Sequence, residues 1–188
     1  MKKILLFASG NGSNVQAILN YFEKNDDVVF PILITNNPHA GVIQITGSRG
    51  LDVMVIDKEM FYQEMFIDTI DFYKPDLIVL AGFLWKIPSF IIQGYKHKII
   101  NIHPALLPLY GGKGMYGHHV HEAVLDNGDK ESGITIHMVN EQYDDGTILL
   151  QKKVKITKTD TVKSLAEKVL KLEHEWYPKV IESLILKN

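Results

Sequence analysis

The sequence predicts an α/β fold: an open, mostly parallel, twisted sheet with helices on both faces and an antiparallel strand at one edge. Three observations predict it. Strand and helix patterns alternate along most of the chain, the early strands are continuously apolar, and the last strand pattern switches to alternation. Continuous apolar strands separated by helices imply a parallel sheet covered on both sides, whereas alternation implies one solvated face.

The elements follow in order. Lys3–Ala8 is an apolar strand that stops at Ser9-Gly10-Asn11-Gly12, a tight turn. Ser13–Lys24 has Val15, Ile18, Leu19 and Phe22 at helical spacing, and the β-branched run Val28–Thr35 reads as a second strand. Ala40–Arg49 is a short helix, Val53–Ile56 a third strand, and Met60–Tyr73 an amphipathic helix that must end before Pro75. Leu77–Ala81 and Ile99–Ile102 are apolar strands, and His118–Leu125 is a helix closed by Asn127-Gly128. Ile134–Val139 and Thr147–Ile156 are strands, and Thr161–Leu186 is a long closing helix perturbed at Pro178. Two loops stand out: the glycine-rich Pro104–Gly117, longer than most connections in compact domains, and the acidic Asn140–Gly146.

Composition narrows the function. A chain of 188 residues with 46% hydrophobic and 22% charged residues suits one domain with a sizeable core. A net charge of −2 gives no electrostatic case for nucleic acid or an anionic membrane. The absence of cysteine excludes disulfides, thiolate nucleophiles and Cys-type zinc sites, and it fits a reducing, cytoplasmic setting. The apolar run Ile4–Ala8 is shorter than a secretory core and reads as a buried strand. Arg49 is the only arginine, so any phosphate must be held by backbone amides, hydroxyls, side-chain amides or lysine.

SGNGSN, between the first strand and first helix, is either a phosphate cradle or merely a tight turn. A dinucleotide fingerprint counted from Gly10 would need glycine where Val15 stands and an acid closing the second strand, which instead ends Thr35-Asn36-Asn37. NAD is therefore disfavoured, the Walker lysine is missing, and a small site for a monophosphate remains. Asn101 and His103 end an apolar strand two positions apart, so their side chains face the same way, toward the crevice at the carboxyl ends of strands. An amide and an imidazole together suit oxyanion stabilisation and proton transfer; the plainer alternative is a hydrogen-bonded histidine near a proline turn. Asp144 in the acidic loop, if beside His103, would raise the imidazole pKa from about 6.5; otherwise it is a solvated turn residue.

Taken together, SGNGSN at 9–14, LAGF at 80–83, NIHPALLP at 101–108, SGITIHMV at 132–139, YDDG at 143–146 and EHEWYP at 173–178 resemble the folate-dependent phosphoribosylglycinamide formyltransferases of purine synthesis. The motifs run in that family's order over almost the whole chain. The resemblance implies a Rossmann-like formyltransferase domain over 1–188, with a phosphate-binding half at 1–100 and a catalytic and folate-binding half at 101–188. It implies that Gly12, Ser13 and Asn14 bind the ribose phosphate, that Glu173 lies near the ribonucleotide, and that Asn101, His103 and Asp144 are catalytic. Leu84, Trp85, Lys86 and Ile87, with Asn101 and the stretch Asn140, Glu141, Gln142, Tyr143 and Asp144, would contact the co-substrate 10-formyltetrahydrofolate. The implied reaction is attack of a primary amine on the formyl carbon through a tetrahedral intermediate, needing no metal. Trp85 stands where an arginine is common in the family, Leu170 replaces a polar residue, Asp145 replaces a glycine, and the 104–117 loop is longer.

The remaining features have duller readings. His118, His119 and His121 are too close in sequence to converge as a trio on one metal from a helix, so surface or substrate-facing roles are expected. His137 is expected to support the acidic loop, His174 to orient Glu173 or pack, and Trp176 and Tyr177 to lie in the core. The partners expected are small molecules, for a monomer or homodimer. The rivals are another 10-formyltetrahydrofolate-dependent formyltransferase, which in the methionyl-tRNA branch carries a C-terminal domain; a hydrolase, which carries an N-terminal module; and a non-catalytic nucleotide-binding module.

Overall fold

A computed structural model describes residues 1–186. The strands are β1 (Lys2–Phe7), β2 (Val28–Val29), β3 (Leu33–Thr35), β4 (Val53–Val55), β5 (Leu77–Leu80), β6 (Ile99–His103), β7 (Glu131–Met138) and β8 (Ile148–Lys155). The helices are α1 (Ser13–Tyr21), α2 (Val42–Gly47), α3 (Lys58–Phe61), α4 (Phe66–Tyr73), α5 (Ser89–Gly94), α6 (His118–Asp126) and α7 (Val162–Ile185). One eight-stranded sheet has the order β4-β3-β1-β5-β6-β7-β8, with β2 pairing β1. Pairs from β4 to β6 are parallel, whereas β6–β7 and β7–β8 are antiparallel.

The differences from the sequence reading have local causes. Val28–Thr35 is two strands, because Phe30-Pro31-Ile32 interrupts it and proline cannot donate to a ladder. Met60–Tyr73 is two helices, broken at Tyr62–Met65. The short α5 starts after Pro88 and went unpredicted. α7 runs unbroken through Pro178, and its N-terminus is a reciprocal capping box of Thr161 and Ser164. β8 is the sheet edge, and its mixed exposure matches the alternation in its sequence.

Two apolar layers cover the sheet. Ile4, Leu6, Leu33, Val79 and Ile100 face α1 and α7, while Leu5, Phe7, Ile34, Ile78 and Leu80 face Phe61, Phe66 and Ile91. Strictly alternating sides along β1 are what a strand buried on both faces requires. Tyr177 of α7 is fully buried, and its hydroxyl donates to the carbonyls of Leu80 at 2.9 Å and Ile100 at 3.3 Å. That bond ties the long helix to the two central strands immediately below the cleft. Tyr177→Phe is expected to cost about 1–2 kcal/mol, read as a lower urea midpoint with an unchanged m-value; an unshifted midpoint would show the bond to be dispensable.

Candidate active site

The site lies where the parallel strands end. After β1, Ser9 turns the chain: its hydroxyl accepts the Leu84 N–H at 2.9 Å, and its own N–H donates to the Gly82 carbonyl at 3.1 Å. Gly12 adopts φ +80°, and a Cβ there would lie 2.6 Å from the Val42 side chain, so the turn requires glycine. α1 starts immediately at Ser13 with neither a side-chain cap nor an acid in its first turn among the described residues. Its first N–H groups thus carry the positive end of the helix dipole toward the crevice.

On the far side of α1, the Asn14 amide donates to Glu173 at 2.7 Å, while the Asn14 Oδ1 is buried without a partner. Glu173 is 8% exposed. Burial pushes its carboxyl up to about 7, against the opposing effect of the Asn14 hydrogen bond.

The centre is built by register. β6 pairs antiparallel with β7 so that Asn101 lies opposite His137, and His103 opposite Thr135. The Asn101 amide nitrogen lies 3.3 Å from His137 Nε2, whose Nδ1 is 2.9 Å from the Met138 carbonyl. Thr135 pins the turn after His103: its hydroxyl donates to the Ala105 carbonyl at 2.7 Å and accepts the Leu107 N–H at 3.0 Å.

Asp144 enters from the β7–β8 loop with φ +52°. One oxygen accepts the Gly112 N–H at 2.9 Å and stands 3.7 Å from His103 Nδ1; the other stands 3.6 Å from His137 Nε2. The two imidazole distances are those of ion pairs, not direct hydrogen bonds. His103 Nε2 is 2.7 Å from the Tyr110 carbonyl, which places its proton on Nε2 and leaves Nδ1 facing the carboxylate.

Burial alone would raise Asp144, but the His137 imidazole, the Gly112 N–H and His103 together hold it below the ordinary carboxylate value. The expectation for His103 is corrected. Burial outweighs the attraction of Asp144 and the Tyr110 carbonyl, so its pKa falls below the ordinary imidazole value. Asp144 does pull the His103 pKa upward, but His103 is 4% exposed, and the lost hydration of the charged ring is the larger effect.

A cleft of about 980 Å³ joins these parts. Asn14 and Glu173, the trio Asn101, His103 and Asp144, and Leu84, Trp85, Lys86, Ile87, Asn140, Gln142 and Tyr143 all line it. Trp85 packs on Phe61 at 5.6 Å and Phe83 at 6.2 Å, which gives this wall an aromatic shelf.

Three expected residues are not on the wall. Gly12 and Ser13 shape the turn behind Asn11 and Asn14, and the Glu141 carboxylate instead accepts a hydrogen bond from Gln93 at 3.1 Å. Sequence reasoning gave no role to Asn11 or to Lys163, Ala166 and Glu167 of α7, which line the cleft; it singled out the 104–117 loop, Leu170 and His121 without placing them there, and His121 is buried, not on the surface. The α7 residues were findable, because they precede Glu173 at helical spacing.

Comparison with known proteins agrees with this architecture. Residues 2–181 match the Formyl transferase family. A chloroplastic phosphoribosylglycinamide formyltransferase of Arabidopsis thaliana is 41% identical across 97% of this chain, which spans 65% of that relative's length. The Vigna unguiculata counterpart is 39% identical, with 61% of its length spanned. A phosphoribosylglycinamide formyltransferase of Bacillus subtilis (strain 168) is 36% identical, covering 98% of this chain and 95% of its own length. The crystal structure of glycinamide ribonucleotide transformylase 1 from Geobacillus kaustophilus superposes with TM-score 0.89 at 30% identity, covering 98% of this chain and 99% of that one. With nearly its whole length inside the family pattern, and with relatives and a solved structure of that family matching over almost all of both chains, the chain belongs to the formyl transferase family.

Proposed function

We propose that this protein transfers the formyl group of 10-formyltetrahydrofolate to the amine of 5′-phosphoribosylglycinamide, a step of de novo purine synthesis. The observation that carries the reading is the meeting of Asn101, His103 and Asp144 in one cleft that Asn14 of the first turn of α1 and the Trp85 wall also line. The family membership and the names of its relatives point the same way. In this reading the protein is a cytoplasmic enzyme of small molecules, acting as a monomer or homodimer.

The parts divide the work. Gly12, Ser13 and Asn14 present the first turn of α1 to the phosphate, as a helix N-terminus favours an anion. Glu173, with a pKa of about 7, is half neutral at neutral pH and so repels that phosphate less than an ordinary carboxylate would. The formyl folate supplies an activated acyl group. A cleft of about 980 Å³, with backbone groups at 84–87 and the Trp85 ring, suits a large flat heterocycle.

Asn101 donates its amide N–H to the formyl oxygen as negative charge develops, an interaction worth about 3–4 kcal/mol. His103 is neutral in the free cleft. Negative charge developing on that oxygen, added to the Asp144 carboxylate, favours the imidazolium. The proton leaving the attacking amine passes to the His103–Asp144 pair, and the same pair returns a proton to the departing folate nitrogen.

The direct test is one assay: the full chain with phosphoribosylglycinamide and 10-formyltetrahydrofolate, following release of the deformylated folate. Formation of formylated ribonucleotide is the expected outcome. Folate release that is independent of the amine would instead identify a hydrolase, and no release would end the reading.

Asp144→Asn is expected to lower kcat by about 10²–10⁴ while both KM values stay within a few-fold, because the amide keeps the shape and loses the proton acceptor. Unchanged turnover would remove Asp144 from the mechanism.

Glu173 gives a stability prediction with a definite sign. Its folded pKa, raised from 4.5 to about 7, means the folded state holds the proton more tightly than the unfolded chain. Its contribution is fully favourable below about 4.5 and is lost as pH rises through about 7. The gain of Glu173→Gln over the parent protein should grow by about 3 kcal/mol across that window and then level off. A gain independent of pH in urea titrations would contradict the neutral-carboxyl assignment.

A further inference from the structure

One group of side chains at the cleft rim gathers without a role in the chemistry above. His118 and His119 open α6, and Glu122 follows one turn later on the same side. A ligand atom from each of the three lies within 4.8 Å of the other two. The rings of His118 and His119 stand 3.9 Å apart, centroid to centroid, and His119 meets the Tyr116 ring edge-on at 5.7 Å. All three residues are exposed, and among the described residues none of their side chains is engaged in a hydrogen bond or ion pair. By contrast, both ring nitrogens of His103 and of His137 are already facing polar partners.

We propose that His118, His119 and Glu122 form a binding site for one divalent transition-metal ion of the zinc type. Two imidazoles and a carboxylate match the ligand preferences of zinc, nickel and copper, not those of magnesium or calcium. Tetrahedral coordination at 2.0–2.2 Å places donor atoms roughly 3.4 Å apart. Rotamer changes of about 1 Å in three exposed side chains bring the present spacing to that value. A helix N-terminus disfavours a cation, and the Glu122 carboxylate offsets this.

Adjacent histidines alone do not converge from a helix; Glu122, one turn beyond His118, completes the set. Three protein ligands leave a coordination position open. His118 lies on the cleft wall whereas His119 and Glu122 lie outside it, so the ion sits on the rim and its open position can take water or an anionic group entering the cleft.

The test is a titration of the full chain with Co²⁺, read in the visible spectrum, and with Zn²⁺, read by calorimetry, in a non-coordinating buffer. One ion per chain is expected with Kd near or below about 10 μM. His119→Asn and Glu122→Gln, both outside the cleft wall, should each weaken binding by about tenfold or more. His39→Asn, at another exposed histidine, should leave it unchanged. Far-UV circular dichroism checks that the variants fold. No saturable binding below about 1 mM would overturn the proposal. So would an affinity unaltered in both variants, since the ion would then sit on other histidines.

Discussion

The site depends on keeping one charged carboxylate in a poorly solvated place. Asp144 has a side chain only 12% exposed, and taking an ion out of water costs several kcal/mol unless polar partners replace the water. Those partners are the Gly112 N–H and two imidazoles from neighbouring strands. Each comes from a different segment, so the carboxylate keeps its ionised state only when β6, β7, the glycine-rich loop and the acidic loop are all in place. The backbone is shaped to the same end. Asp144 itself is left-handed, and Gly146 lies so close to the Met138 carbonyl that a Cβ would be 1.6 Å from it. At Gly111 a Cβ would come 2.7 Å from Leu107 and 3.2 Å from the Asp144 Cβ.

The sheet supplies this convergence through its change of direction. β6 is the last parallel strand, so its carboxyl end opens on the crevice as those of β1 and β5 do. β7 then returns antiparallel, which puts His137 directly across from Asn101; it ends beside the amino half of β6, with Met138 opposite Ile100, and the β7–β8 loop folds back to bring Asp144 to His103 and His137. Strand pairing together with this folded-back loop places groups some forty positions apart in sequence within ion-pair distance.

Much of this was legible before any coordinates. Fully apolar Leu77–Leu80 and Ile99–Ile102, apolar save for Asn101, are readable as central strands because both of their faces are largely buried. The shared direction of Asn101 and His103 follows from a period of two. What escaped the sequence was mostly a balance of opposed effects. The sign of the His103 shift rests on burial against the pull of Asp144, and burial is a property of the whole fold. The neutral tendency of Glu173 likewise comes from α1 and α7 closing over it. The gathering of His118, His119 and Glu122 was missed by considering histidines alone, although Glu122 stands at the i+4 position of His118. Pro31 and the break at Tyr62–Met65 split elements whose apolar pattern reads as continuous.

The electrostatics of the cleft lead to one last consequence. The single arginine, Arg49, is committed elsewhere, bonded to Asn20 and 3.9 Å from Glu23. Under the proposed function, the phosphate therefore meets backbone dipoles and uncharged amides beside a buried carboxyl, without a guanidinium to neutralise it. A dianion placed near Glu173 raises that carboxyl's proton affinity further, because two like charges in a low-dielectric site repel. By linkage, binding of the phosphorylated substrate then takes up protons near neutral pH, and its affinity falls as Glu173 ionises. An arginine at this end would abolish that dependence. On that reading, its absence makes the protonation state of one buried residue part of how the cleft would hold the phosphate.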